Sequence, residues 1–156
     1  MDLPKRKRQR LAGYDYSTPN YYFITICTHQ KRGIFGHPCR LNEFGKLAEF
    51  ALLDIPNHFA GVAVDKYAIM PNHVHAIVVI GGGVSERACP FPTLSSVVGA
   101  YKSAVSRMIH AVEPGIPVWQ KSFYDHIIRN EKEYLDDWRY IDDNPAKWTE
   151  DEFYTP

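Results

Sequence analysis

The strongest constraint on the fold is the stretch of residues 67–80, in which two apolar segments flank a Pro-Asn pair. Such a pattern predicts two strands joined by a tight turn. Side chains alternate between the two faces of a strand, so His73 and His75 project from one face while Val74 points the other way, into a core. Two imidazoles held side by side on a strand suit a metal clamp, although the pair alone equally suits a structural role.

The remaining elements follow from periodicity and from end signals. Apolar residues at helical spacing predict three helices, each preceded by a capping residue. Pro56 is expected to end the first helix and Pro145 the last, near Asn144. The predicted strands are residues 21–28, 62–70, 73–80 and a segment within 118–128; the helices begin after Asn42, Thr93 and Asn130; residues 29–40 and 81–92 are predicted loops.

This order of elements predicts an α+β fold: a ferredoxin-like βαββαβ antiparallel sheet with helices on one face and an added C-terminal helix. The first and third strands are central in such a sheet, so the histidine strand is expected at its centre. The other face of the sheet is expected to stay free for a ligand or a partner.

The length of 156 residues and the 45% hydrophobic content predict one domain over residues 1–156, with a basic arm at 1–13 and a tail at 149–156. No apolar run approaches the roughly 20 residues of a membrane helix, and no secretory signal is visible. Three cysteines without a CxxC pair fit a reducing cytoplasm. The net charge of zero argues against a protein that coats duplex DNA by bulk charge, although the basic arm suits phosphate contacts.

The last predicted helix adds a second pair of reactive groups. Tyr140 and Asn144 lie four residues apart, one turn apart on the same helix face. That face is turned about 100° from the buried Ile141. The pair could supply a nucleophile and an oxygen ligand, or it is a surface tyrosine with an Asn that merely precedes a proline.

With these residues in view, the chain resembles the single-tyrosine HUH transposases of the insertion-sequence-200-like superfamily, and within them the REP-associated tyrosine transposases. The diagnostic elements are MPNHVH at residues 70–75 and YIDDNP at 140–145. Further similarity covers residues 14–36, 99–107 and 118–148, so the resemblance spans most of the chain.

The resemblance implies that His73 and His75 bind a divalent metal, Mg²⁺ or Mn²⁺, with Asn144 as a third ligand. It also implies that Tyr140 attacks single-stranded or hairpin DNA, forms a 5′-phosphotyrosine bond and releases a 3′-hydroxyl that can rejoin the strands. His126, which the family shares, is the second candidate for the third ligand or a structural histidine. Family members exchange the tyrosine helix between two subunits or keep it in cis, so either a homodimer or a monomer is expected.

The sequence allows alternative roles for several other residues. Lys102, Arg107 and Arg129 are possible phosphate contacts, each with a solvent-exposed alternative. Three acids within one turn of Tyr140 would raise its pKa, or one of them could hold a metal-bound water or the second nitrogen of a histidine; they are Asp136, Asp137 and Asp143.

Other functional classes compete with a transposase. One is a catalytically inactive nucleic-acid-binding module on the same fold, which an intact set of site residues disfavours. Another is a replication initiator or relaxase with the same HUH chemistry, but those chains are usually longer and carry a second domain. A two-histidine phosphodiesterase is excluded because the chain lacks two separated His-x-Thr/Ser motifs.

Overall fold

The computed structural model describes residues 20–81 and 91–156. Four strands form the main sheet, in the order β4–β5–β1–β6 and antiparallel throughout, which confirms the α+β class and the central place of the histidine strand β5. The strands are β1 (Asn20–Cys27), β2 (Gly36–His37), β3 (Arg40–Leu41), β4 (Val62–Met70), β5 (His73–Ile80) and β6 (Tyr124–Ile128). The helices are α1 (Glu43–Leu53), α2 (Ile55–His58), α3 (Leu94–Val112) and α4 (Glu131–Asp143).

The three predicted capping residues all cap helices. In each case a side-chain oxygen accepts a hydrogen bond from the backbone N–H of the third helical residue, which satisfies one of the free donors at the helix start. The pairs are Asn42 with Gly45 (2.9 Å), Thr93 with Ser96 (3.1 Å) and Asn130 with Glu133 (2.9 Å).

The predicted end of the first helix is wrong in detail. Helix α1 already ends at Leu53, and Pro56 lies in the first turn of α2, where its missing N–H has no intrahelical partner to lose. The predicted loop at residues 29–40 also contains more structure than expected. It holds a short 3₁₀ turn at His29–Lys31 and the first three residues of the β2–β3 hairpin pairing.

The two faces of the sheet carry different cores. Helices α1 and α3 pack on one face around Val74, Ile24 and Ile26, and this is the larger core. The opposite face was predicted to stay free, and this prediction is wrong because α4 covers part of it. The smaller core on that face consists of Ala68, Met70, Ile77, Ile128 and Ile141.

Helix α4 contacts the sheet through a narrow apolar stripe. Ile141 is fully buried, and Tyr134 and Trp138 pack partly against the same cluster. Leu135 has the helical spacing expected of this stripe, but the residue is 40% exposed. The stripe is therefore too narrow to include position 135, and the docking of α4 depends on few apolar side chains.

The predicted basic arm, residues 1–13, lies outside the described residues, as does most of the glycine-rich start of the 81–92 loop. Among the helices of residues 20–81 and 91–156, none combines the length and apolar content needed to cross a membrane.

Truncation of Ile141 should weaken the docking of α4. We expect Ile141→Ala to lower the free energy of unfolding by about 2–5 kcal/mol, because it removes a fully buried branched side chain. Leu135→Ala on the same helix is the matched control and should cost less than about 1 kcal/mol. Urea denaturation followed by circular dichroism measures both, and equal losses would contradict the assigned face of α4.

Candidate metal centre beside an exposed tyrosine

The two histidines lie on the sheet face that α4 partly covers. In the register of the central strands His73 pairs with Cys27 of β1, and His75 pairs with Thr25. Both imidazoles are almost completely buried, with 0% and 1% of their surface exposed. Their ring centroids are 4.5 Å apart, so the predicted side-by-side pair is present.

Hydrogen bonds orient both rings. His73 Nδ1–H donates to Asn72 Oδ1 at 2.8 Å, and Asn72 is itself fixed because its Nδ2 donates to the backbone oxygen of Phe153 at 2.6 Å. His75 Nδ1 lies 2.9 Å from Thr25 Oγ1. In the described part of the chain the Nε2 atoms of both histidines are buried and have no hydrogen-bond partner. Both rings thus present Nε2 as a free ligand atom.

Burial also sets the charge of the two rings. It lowers the pKa of both His73 and His75 from 6.5 to about 3. The charge of Asp151 opposes part of the shift in the pKa of His75, and the Asn144 side chain opposes part of the shift in that of His73. Both imidazoles are consequently neutral near pH 7, which is the state that binds a metal.

A carboxylate completes this group, and it comes from the tail. One ligand atom each from His73, His75 and Asp151 lies within 4.8 Å of the others. His73 Nε2 and Asp151 Oδ2 are 3.6 Å apart, too far for a good hydrogen bond. Ligand atoms so spaced can share one ion at the usual distances of about 2.0–2.6 Å.

Asn144, the predicted third ligand, also lies here. Its Nδ2 donates to Asp151 Oδ2 at 2.7 Å, which leaves its Oδ1 buried and without a hydrogen-bond partner among the described residues. The donor set is therefore two neutral imidazole nitrogens, one carboxylate and one amide oxygen. Such a set fits a divalent cation, and the oxygen donors favour a hard one.

The tail, residues 149–156, folds over the histidines. A 3₁₀ turn at Trp148–Glu150 precedes Asp151, and the Phe153 ring packs 4.7 Å from the His73 ring. The sequence did not predict that Asp151 lies next to His73 and His75, because Asp151 belongs to no helical or strand periodicity. The only signal was the mixture of aromatic and acidic residues, which favours a packed segment over a solvated one.

Tyr140 lies beside this centre, on the exposed end of the docked helix. Its ring is 5.2 Å from the His75 ring in an edge-on arrangement, and 41% of the residue is exposed. Partial burial, followed by the charges of Asp151 and Glu152, raises the pKa of Tyr140 to about 12. Its hydroxyl is therefore protonated at neutral pH. An open groove of about 530 Å³ lies along Tyr140, Asn144 and Lys147.

The other predicted site residues lie elsewhere. His126 donates to Asp137 and does not join the ligand group. Lys102 is on α3, behind the sheet, where its Nζ donates to the backbone oxygens of Gln120 and Ser122. Arg107 is on the same helix and lines a groove against α1 and α2. Arg129 follows β6 and is exposed.

The acids near Tyr140 also have defined places. Asp137 pairs with His126, whereas Asn72 and Thr25 occupy the second nitrogens of the ligand histidines. Asp136 forms an exposed pair with Lys132, and Asp143 lies 3.9 Å from Lys147. None of these three acids belongs to the group formed by the histidines and Asp151.

Comparison with solved structures identifies the fold. The structure of a REP-associated tyrosine transposase bound to a REP hairpin matches with a TM-score of 0.65 over 91% of this chain and 74% of that one, at 19% identity. A provisionally assigned transposase from Deinococcus radiodurans matches with a TM-score of 0.54 over 86% of this chain and 95% of that one, at 20% identity. The protein therefore shares the fold of these two proteins.

At the level of sequence, the protein is 35% identical over 167 aligned positions to a Haemophilus influenzae protein of uncharacterised function. The alignment covers 96% of this chain and 93% of the relative, so the chain belongs to the same family as that protein. No family model matches the sequence.

The ligand set can be tested by metal titration. We expect His75→Ala to abolish tight Mn²⁺ binding, and Asp151→Ala to weaken it at least about tenfold, because each removes a donor. Asn144→Ala should weaken binding in the same direction. Isothermal titration calorimetry gives the affinities.

Glu152→Ala is the matched control for Asp151, since it removes a neighbouring but exposed carboxylate. Its Mn²⁺ affinity should stay within about twofold of wild type at physiological ionic strength, where exposed charges are screened. A loss equal to that of Asp151→Ala would mean that the carboxylates act through general charge and not as ligands.

The buried histidines should also make the metal-free protein sensitive to acid. Their pKa values are about 3 in the folded state and about 6.5 when unfolded, so the unfolded state binds more protons between these limits. The free energy of unfolding should therefore fall as the pH drops from 6.5 towards 3, by up to about 1.4 kcal/mol per pH unit for each histidine.

Urea denaturation in EDTA between pH 7.5 and 5 measures this slope. His75→Gln should flatten it, because glutamine does not titrate. His58→Gln removes an exposed histidine of α2 and should leave the slope unchanged. Identical slopes in all three proteins would show that the buried rings do not cause the acid sensitivity.

Proposed function

We propose that this protein is a metal-dependent endonuclease and strand transferase that acts on single-stranded or hairpin DNA through Tyr140. The observation that carries the proposal is the approach of an exposed tyrosine to 5.2 Å from a buried imidazole whose Nε2 has no hydrogen-bond partner. The likeness to a tyrosine transposase bound to a REP hairpin supports DNA as the substrate.

In this proposal His73, His75, Asp151 and Asn144 hold the cation, which is Mg²⁺ or Mn²⁺. The carboxylate and amide oxygens favour these hard ions, and imidazole nitrogens make Mn²⁺ the better fit. When bound, such a cation would act as a Lewis acid towards the scissile phosphate. Asn72 and Thr25 keep the two Nε2 atoms turned towards it.

Tyr140 performs the covalent step. Its Oη bonds to the phosphorus and the bond from phosphorus to O3′ breaks, so that the 5′ end is held as a phosphotyrosine ester. The phenol proton is lost, and the departing O3′ gains one to become a 3′-hydroxyl. A 3′-hydroxyl that attacks the ester reverses the reaction and joins two strands without an external energy source.

The electrostatics of the site give the cation a second role. Asp151 and Glu152 raise the pKa of Tyr140, which disfavours the phenolate needed for attack. A cation bound next to Asp151 would lower the pKa of Tyr140 again and so favour the phenolate. The proposal thus accounts for an acidic tail next to a nucleophile that must lose a proton.

The decisive experiment looks for the covalent adduct. Purified protein is incubated with Mn²⁺ and a pool of labelled DNA hairpins that carry randomised single-stranded flanks, and an SDS-stable adduct is resolved by electrophoresis. We expect an adduct with wild type and none with Tyr140→Phe, which has no hydroxyl to esterify. Tyr124→Phe removes the hydroxyl of another exposed tyrosine and should keep the adduct.

Two results would contradict the proposal. An adduct that persists in Tyr140→Phe would exclude Tyr140 as the nucleophile. Hairpin binding that survives EDTA, without any adduct in Mn²⁺ or Mg²⁺, would instead favour the catalytically inactive binding module.

A further inference from the structure

A hydrogen-bonded pair outside the ligand group joins the edge strand β6 to the tyrosine helix. His126 Nε2–H donates to Asp137 Oδ2 at 2.7 Å. The His126 side chain is 48% exposed and that of Asp137 is 18% exposed. Partial burial raises the pKa of the Asp137 carboxyl, and the hydrogen bond with His126 opposes that shift. The hydrogen bond with His126 therefore stabilises the ionised carboxylate of Asp137.

The pair is in contact with the nucleophile through one aromatic ring. His126 stacks on Phe23 of β1 with ring centroids 5.0 Å apart and an interplanar angle of 18°. The same Phe23 ring lies 5.4 Å from His75 and 6.1 Å from Tyr140. On α4, Asp137 lies three residues before Tyr140, so the two side chains are neighbours on the helix surface. A continuous set of contacts thus runs from the pair to the tyrosine.

The other flank of α4 is held separately. Lys66 of β4 binds Asp142 at 2.7 Å and lies 4.0 Å from the centre of the Trp138 ring. Tyr134 also donates a hydrogen bond to Asp65. The contacts to β4 and the His126–Asp137 bond to β6 fix the helix from both sides. We expect that loss of the bond to β6 would free this flank of α4 and let Tyr140 move relative to His75.

We propose that His126 and Asp137 are positioning residues, whose hydrogen bond sets the distance of Tyr140 from the ligand histidines. This inference rests on the proposed function for its effect on rate. An in-line attack needs the reacting atoms about 3–3.5 Å apart, and a misplacement of about 1 Å costs on the order of a hundredfold in rate. A partly exposed hydrogen-bonded pair contributes little to stability, so the pair should act on rate more than on folding.

Single-turnover kinetics test the proposal. His126→Ala and Asp137→Ala should each slow adduct formation at saturating hairpin about tenfold or more, while the concentration of hairpin for half-maximal rate and the Mn²⁺ affinity stay unchanged. The double variant should be no slower than either single one. Asp137→Asn keeps an oxygen that accepts from Nε2–H and should recover most of the rate.

Asp136→Ala is the matched control, because it removes a neighbouring acid of α4 whose partner is the exposed Lys132. Its rate should equal that of wild type. Wild-type rates in His126→Ala and Asp137→Ala would overturn the proposal. So would an unrecovered rate in Asp137→Asn, which would assign the effect to charge, or a parallel loss of hairpin affinity, which would make His126 a DNA contact.

A second readout does not depend on activity. With 3-fluorotyrosine at position 140, the ¹⁹F resonance should shift or broaden in His126→Ala and Asp137→Ala, and return in Asp137→Asn. Unchanged spectra would overturn the positioning role even if the enzyme is active. Changed spectra in a protein that forms no adduct would reject the proposed function and leave the positioning of Tyr140 intact.

Discussion

The proposed chemistry of this protein depends on the contact between helix α4 and the sheet face that carries the histidines. One fully buried branched side chain, Ile141, and a few partners form its apolar centre, and polar contacts to β4 and β6 flank it. The contact brings Tyr140 next to His75 within a single chain. It also brings Asn144 into the buried part of the site, one turn further along. The proposed nucleophile and the proposed ligands are thus held together by the contact between α4 and the sheet.

The group formed by His73, His75, Asp151 and Asn144 contains buried polar atoms that lower the stability of the fold. His73 Nε2, His75 Nε2 and Asn144 Oδ1 are all buried without hydrogen bonds in the described part of the chain, and each such atom costs about 1–3 kcal/mol. Orphaned polar atoms are rare in folded proteins, and three in one place call for an explanation. A cation would satisfy all three at once, so the cost is evidence for a shared ligand and not for poor packing.

The sequence predicted the features that depend on local periodicity. Alternation along β5 placed His73 and His75 on one face, capping residues marked the helix starts, and four-residue spacing joined Tyr140 to Asn144. The failures arose where tertiary packing decides. Leu135 matched the apolar stripe but lies beyond the edge of a narrow contact. Asp151 sits after a 3₁₀ turn, so no periodicity reveals that the tail returns to β5.

The prediction that an aspartate near Tyr140 could hold the second nitrogen of a ligand histidine was wrong for a related reason. The sequence places three aspartates within one helical turn of Tyr140. The hydrogen bonds to His73 and His75 come instead from Asn72 and Thr25, which lie on other elements. Spacing along a helix predicts contacts only between residues of that same helix. Partners supplied by a turn or a neighbouring strand require the register of the sheet, which here pairs Thr25 with His75.

The position of Asp151 has a consequence for how the protein is made. His73 and His75 leave the ribosome before Asn144 and Asp151, which follow about 70 residues later in the chain. A nascent chain therefore displays an imidazole pair without its oxygen donors, and without the helix that bears the tyrosine. Under the proposed function no DNA can be cut until residues 140–151 have been translated, so the order of residues along the chain delays the activity.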